Sequence, residues 1–168
     1  MGTDKPYREN VGIIIFNRNE QVLVGERLGY PGNYQFPQGG LDAGEKPVDA
    51  ARRELYEEIG LRVDEAPAFE IPDWLYYEFP EDVPAKLKKY AGQKQKWFGW
   101  SWDGNPQTLD LHVHEPEFAK LRWAELDEIV AQIVPFKRTV YAQLRERVRP
   151  LMRAFLKTRN GDSGATEL

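Results

Sequence analysis

Gly39-Gly40-Leu41-Asp42-Ala43-Gly44-Glu45-Lys46-Pro47-Val48-Asp49-Ala50-Ala51-Arg52-Arg53-Glu54-Leu55-Tyr56-Glu57-Glu58-Ile59-Gly60-Leu61 is the stretch that decides the fold. Its second half predicts a helix from about Pro47 to Ile59: proline suits a first turn that needs no N–H there, and Gly60 suits a left-handed cap. Val48, Ala51, Leu55 and Ile59 fall on one sector, which packs. Glu54, Glu57 and Glu58 stand at i, i+3 and i+4 and share the neighbouring sector, about 100° wide. Two carboxylates about 5 Å apart at an effective dielectric near 20 repel by roughly 3 kcal/mol, so such a cluster in a cleft calls for cations. A divalent metal is the natural candidate, and oxygen ligands select hard ions such as Mg²⁺ or Mn²⁺. A solvated helix face, with Arg52 and Arg53 pairing to the glutamates, explains the same three residues. Gly39-Gly40 and Gly44 favour the first reading, because they admit a close backbone approach to the cluster.

On the N-terminal side, Val11-Gly12-Ile13-Ile14-Ile15-Phe16 is apolar on both faces, and Asn17-Arg18-Asn19-Glu20 turns it into Gln21-Val22-Leu23-Val24, a hairpin with a buried first strand. On the C-terminal side, strands are predicted at Ala68 to Ile71, Trp74 to Phe79, Lys94 to Trp102 and near Leu121 to Trp123, and a helix over Leu126 to Ile133. A last helix begins near Thr139, with Val140, Leu144, Val148, Leu151 and Phe155 at core spacing and Pro150 expected to kink or divide it. Strands on both sides of one central helix, followed by terminal helices, predict an α/β fold with a helix on each side of a mixed sheet.

The 168 residues suit a single domain over residues 1–159, and residues 160–168 read as a disordered tail. Hydrophobic residues make up 41% and charged residues 30%, which excludes a fibrous or largely disordered chain. No apolar run approaches the about 18 residues of a membrane span. Met1 to Pro6 lacks the apolar core of a secretory signal, so an intracellular, cytoplasmic protein is expected. The absence of cysteine excludes disulfides, a thiol nucleophile and thiolate metal sites. A net charge of −4 argues against wrapping duplex DNA and leaves room for a local basic pocket.

The spacing Gly39, five residues, Glu45, seven residues, Arg53-Glu54-Leu55-Tyr56-Glu57-Glu58-Ile59-Gly60-Leu61 matches without a gap the signature of the Nudix hydrolases, fixing nine positions over twenty-three residues. The resemblance implies a Nudix-like α/β/α sandwich and metal-dependent hydrolysis of a diphosphate linked to another moiety. It implies that Glu54, Glu57 and Glu58 ligate metal (Mg²⁺, with Mn²⁺ able to substitute), that Gly39 offers its carbonyl, and that Glu45 and Arg53 brace loop and helix. Tyr7 to Gly12, Gln35 to Gly40, Gly92 to Phe98, Glu115 to Phe118 and Pro135 to Arg138 resemble the subgroup of RNA pyrophosphohydrolases and plant-type diadenosine tetraphosphate hydrolases. In that subgroup the carboxylate matching Glu117 reaches the metal site as a further ligand or base. The implied substrate is an RNA 5′-triphosphate end or a dinucleoside polyphosphate. A non-catalytic nucleotide-binding domain is the alternative, although no glutamate of the signature is missing.

The cations Arg8, Arg27, Lys94, Lys96, Lys137 and Arg138 are scattered in sequence yet able to converge on polyphosphate. The resemblance favours Arg8, Arg27, Tyr77 and Lys137 for phosphate and base contacts. Lys94 and Lys96 alternate with Gln93 and Gln95, so one of these pairs can line a cleft. Tyr77 and Phe136 are candidates to sandwich a base. Trp97, Trp100 and Trp102 read as structural. His112 and His114 share a predicted strand face without a third ligand and read as solvent-facing. Glu57 or Glu58 is expected to be the general base, since sequence does not separate a ligand from a base when both are glutamates.

Overall fold

The computed structural model describes the backbone of residues 4–167 and the side chains of residues 4–159, so the expectation of a tail over 160–168 lies outside the described side chains. A mixed sheet carries seven strands: β1 (Tyr7–Phe16), β2 (Val22–Arg27), β3 (Tyr34–Gln35), β4 (Gln38–Gly40), β5 (Phe69–Glu78), β6 (Gly92–Ser101) and β7 (Phe118–Ala124). The helices are α1 (Pro47–Ile59), α2 (Leu126–Gln132) and α3 (Arg138–Glu167). Single 3₁₀ turns occupy Ala85–Leu87, Pro106–Thr108 and Pro135–Lys137.

β1 is buried on both faces from Asn10 onward, and it runs parallel to β6 over its whole length. Val11, Ile13 and Ile15 point to one side, where Ala51, Leu55 and Ile59 of α1 pack on them together with Phe98 and Trp100. Ile14 and Phe16 point to the other side, where Val140, Tyr141, Leu144 and Val148 of α3 close the second layer with Trp97. The two layers make the predicted α/β/α sandwich.

The sheet is split, and the split positions the site. β1 and β2 pair at Phe16–Val22 and then part, so β4 lies against β1 at Asn10 to Gly12 while β3 lies against β2 at Gly25–Glu26. Residues 34–40 are thereby wedged into the opening, held by an Ile13 N–H to Pro37 carbonyl bond of 3.0 Å. Tyr141 of α3 pins the same loop from behind: its hydroxyl accepts the Phe36 N–H at 3.0 Å, and its ring stacks on Phe36.

Several expectations are modified. The two strands expected around Pro72-Asp73 form one strand, β5, whose register shifts against β6 between Ile71 and Leu75. Pro150 lies inside α3 without dividing it. His112 and His114 sit in an exposed run of turns rather than on a strand, because Asp110 ties the His112 N–H into a local turn. Trp97 and Trp100 are buried core residues, as expected.

Candidate active site

α1 begins at Pro47 after an extended Lys46 and ends in Gly60, which adopts φ 73° and donates its N–H to the Tyr56 carbonyl. The apolar stripe fixes the rotation of the helix, so Glu54 and Glu58 face the wedge formed by β4, with Glu57 beside them on the Arg53 side. At Gly39 a Cβ would fall 2.0 Å from the Glu54 carboxyl carbon. Only glycine lets this carboxylate lie against the strand.

Arg53 is the hub on the solvent side of this cluster. Its guanidinium donates to both Glu45 oxygens at 2.9 Å, to the Gly40 carbonyl at 2.9 Å, to Glu54 at 2.8 Å and to Glu57 at 3.2 Å. Those donors hold the Glu45 carboxyl below its usual range, and the accepting carboxylates, Glu45 foremost and then Glu54, hold the guanidinium above its own. Helix and loop are clamped by one side chain, the arrangement expected for Glu45 and Arg53.

Glu58 lies on the inner side and has no such partner. It accepts the Gln38 N–H at 3.3 Å, while desolvation and the charges of Glu54, Glu117 and Glu57 push its carboxyl well above the ordinary value. Burial likewise raises Glu54, partly offset by Arg53. Glu117 precedes β7 and is exposed; its effect on Glu58 places its charge in the same neighbourhood. Among the described residues no three His, Asp or Glu side chains are already gathered closely enough to hold an ion. The all-oxygen donor set, the glycine cradle at Glu54 and the poorly compensated Glu58 nonetheless suit a hard divalent cation.

Positive charge arrives from the other side of the split. Lys137, only 5% exposed, donates to Gln35 Oε1 at 3.1 Å and has no carboxylate within salt-bridge range among the described residues. Desolvation, and secondarily Arg27, lowers its ammonium to about 8, against a smaller opposing effect of Glu58. Tyr77, also buried, is pushed up to about 12 by desolvation. Arg8 donates to Gln93 Oε1 at 2.7 Å and lies beside Gly40, where a Cβ would meet its guanidinium. Arg27 stacks on Tyr30, 4.5 Å from the ring centroid.

The structure thus brings together Gly39, Glu54, Glu57, Glu58, Glu117, Arg8, Arg27, Tyr77, Phe136 and Lys137. It does not bring Lys94 and Lys96 to this face: both lie over Trp74 on the α1 side of the sheet, and Lys94 pairs with Glu9 at 3.7 Å. Gln93 and Gln95 face the cleft instead, since their strand positions share the side occupied by Trp97. Tyr77 and Phe136 do not bracket an open slot either. Their centroids are 5.7 Å apart, the spacing of rings in direct contact.

A buried amide network was not assigned from the sequence. Gln95 donates to Asn10 at 2.9 Å and to Gln38 at 3.0 Å, and Gln93 joins Arg8, Asn10 and the Tyr77 hydroxyl. Polar residues alternating in otherwise apolar strands are the signal that marks it.

A mixed sheet is split around a glycine-bearing loop, with a helix of glutamates on one side and Lys137, Arg27 and Arg8 on the other, of which Lys137 is buried. The model of the NUDIX domain matches residues 6–144, and the chain belongs to that family. It is similar to the RNA pyrophosphohydrolase of Rhodospirillum rubrum, 45% identical over 141 residues that cover 83% of this chain and 85% of that protein. It is similar also to the RNA pyrophosphohydrolase of Acidiphilium cryptum, 47% identical over 149 residues, 84% of this chain and 90% of that one. Among solved structures, the MutT protein of Methanosarcina mazei shares the fold, with TM-score 0.63 and 17% identity over 88% of this chain and 99% of that one.

Proposed function

We propose that this Nudix pyrophosphohydrolase hydrolyses the polyphosphate of nucleoside 5′-polyphosphates, with the 5′-triphosphate end of RNA as substrate and Mg²⁺, replaceable by Mn²⁺, as cofactor. The observation that carries this reading is the meeting at one loop of two sets of charge that no ion pair among the described residues closes: Glu58 and Glu117 on one side, Lys137, Arg27 and Arg8 on the other. A polyphosphate bound with a divalent cation satisfies both halves at once. The relatives named RNA pyrophosphohydrolase favour RNA over a dinucleoside polyphosphate.

Glu54, Glu57, Glu58 and Glu117, with the Gly39 carbonyl, would hold the cation. When bound, it polarises phosphoryl oxygen and lowers the pKa of water. The chain's own contribution is positional and acid–base. Arg8, Arg27 and Lys137 bind the phosphate oxygens and offset charge on the transferred and leaving groups. Water forms a bond to phosphorus as the opposite phosphoanhydride P–O bond breaks, its proton passing to Glu57 or Glu58 and the leaving phosphate departing as an anion. Arg53 keeps Glu54 and Glu57 in place from outside. Phe136, 37% exposed, offers its outer face for a base to stack on.

The test is release of phosphate or pyrophosphate from 5′-triphosphorylated RNA, diadenosine tetraphosphate and mononucleotides, each with Mg²⁺ or with chelator. The reading expects kcat/KM to be highest for RNA and activity to vanish in chelator. Nucleotide binding without turnover would identify a binding domain, and a preference for the dinucleotide would reassign the substrate.

A further inference from the structure

The face of the sheet opposite the cleft carries a second set of residues that the chemistry above leaves unused. α1 covers Val11, Ile13 and Ile15 but not the beginning of β1 or its neighbours. There, Tyr7 and Tyr76 meet edge to face with centroids 5.1 Å apart, and Tyr76 is 49% exposed. Next to them the Trp74 ring is flanked by the ammonium groups of Lys94 and Lys96 at 4.8 and 4.9 Å. A cavity of about 280 Å³ continues from Lys96 to Lys46 at the start of α1.

We propose that this face is a platform for the nucleotides that follow the 5′ end of a single-stranded RNA, which rests on the RNA reading above. Three aromatic rings with interleaved lysines on an open sheet face form the surface on which unpaired bases stack while cations meet the phosphates. Acidic groups are also present: Glu9 pairs with Lys94, Glu78 accepts from the Tyr7 hydroxyl, and Glu70 lines the cavity. Lys96 and Lys46 have no carboxylate within salt-bridge range among the described residues, so they are the charges left for phosphate.

Continuity with the cleft supports the same occupant. Tyr76 and Tyr77 are adjacent on β5, one on each face, and Lys94 and Gln93 repeat that relation on β6. β5 is the last strand on its side of the sheet, so a chain leaving the Tyr77–Phe136 corner crosses a single strand, ~10 Å from one side-chain layer to the other, to reach Tyr76 and Trp74.

The experiment compares kcat/KM for a 5′-triphosphorylated dinucleotide and a 5′-triphosphorylated, unstructured ten-nucleotide RNA. Trp74→Ala and Tyr76→Ala are each expected to raise KM for the ten-mer about tenfold and to leave the dinucleotide constants unchanged, which also establishes that the variants fold. Lys96→Gln is expected to flatten the dependence of log KM on log salt for the ten-mer by about 0.7, the loss of one phosphate contact to a single strand. Equal effects on both lengths would mean a merely structural role and would overturn the platform, as would no effect on either. Should the wild type turn over neither RNA, the substrate reading fails. The platform is then decided by fluorescence anisotropy with a 5′-hydroxyl ten-mer: binding lost in Trp74→Ala supports it, and no binding by the wild type rejects it.

Discussion

Glu57 and Glu58 are consecutive residues of one helix, yet they belong to two regions that treat charge in opposite ways. Around Arg53 every carboxylate finds a donor: Glu45 twice, Glu54 and Glu57 once each, with Asp42 at 3.5 Å as well. Around Glu58 and Lys137 the protein supplies one backbone N–H and one amide oxygen and otherwise leaves the charges desolvated. Arg53 builds a closed structural joint, whereas the cleft retains a standing electrostatic cost that only a ligand relieves. Stability should therefore be concentrated at Arg53 and its joint, and activity at the cleft together with Glu57, the joint carboxylate whose charge also reaches Glu58.

The largest expected effect is on turnover. Glu57→Gln and Glu58→Gln keep size and lose charge, and each should lower kcat by roughly 10² to 10⁴ with the fold retained, as circular dichroism would show. If both variants kept more than about a tenth of wild-type kcat, the two glutamates would have no part in the chemistry and the contrast would collapse.

Next comes the joint. Arg53→Met removes five hydrogen bonds and leaves Glu45, Glu54 and Glu57 facing one another. With its side chain 27% exposed, solvent replaces part of the loss, and about 2–4 kcal/mol is expected, a fall in Tm of roughly 5–15 °C. A variant that melted like the wild type would show that the hub is dispensable.

Lys137→Met should act in the reverse sense. The folded ammonium titrates at about 8 against 10.5 for the free group, so between those values the unfolded chain binds more protons and wild-type stability rises with pH. Below pH about 8 the charge costs up to about 3 kcal/mol, offset by about 1 kcal/mol for the donor that Gln35 would lose. At pH 7 the variant should therefore melt higher than the wild type, and the difference should close by pH about 10.5. A lower Tm at pH 7 would mean that the charge is compensated within the fold.

The sequence made the joint more legible than the cleft, for physical reasons. Pro47, the apolar stripe and Gly60 are local signals, and they placed α1 at its observed bounds. Glu45 lies in the turn just before α1, tied to Asp42 in both directions, so a fold-back of only eight residues brings its carboxylate to Arg53, a pairing that the family signature implies. The cleft depends on long-range placement. β3 and β4 span two and three residues, too short for any periodicity, and the split they occupy comes from the parting of β1 and β2. Alternation on β6 separated Gln93 and Gln95 from Lys94 and Lys96 but not which pair faced inward, because Trp97 and Phe98 make both faces apolar further along. Burial of Lys137 follows from the packing of a 3₁₀ turn against β5, which no local pattern announces.

A smaller effect is expected at the rim. Arg8→Ala removes a charge shared by ground and transition states, so KM should rise with kcat held, by about 1–3 kcal/mol in binding. Added salt should weaken the wild type more than the variant, since the variant has already lost one screened attraction. Steady-state kinetics at two ionic strengths would check both, and an unchanged KM would return Arg8 to the role of a partner for Gln93.

The claim that the cleft's cost is relieved by ligand is tested most directly by the rise in Tm at pH 7 on saturation with Mg²⁺ and a non-hydrolysable nucleoside 5′-triphosphate, in wild type and in Lys137→Met. The account predicts a rise of several degrees for the wild type and a markedly smaller one for the variant, which starts higher and has less to gain. Equal rises in the two proteins, or none in the wild type, would contradict it.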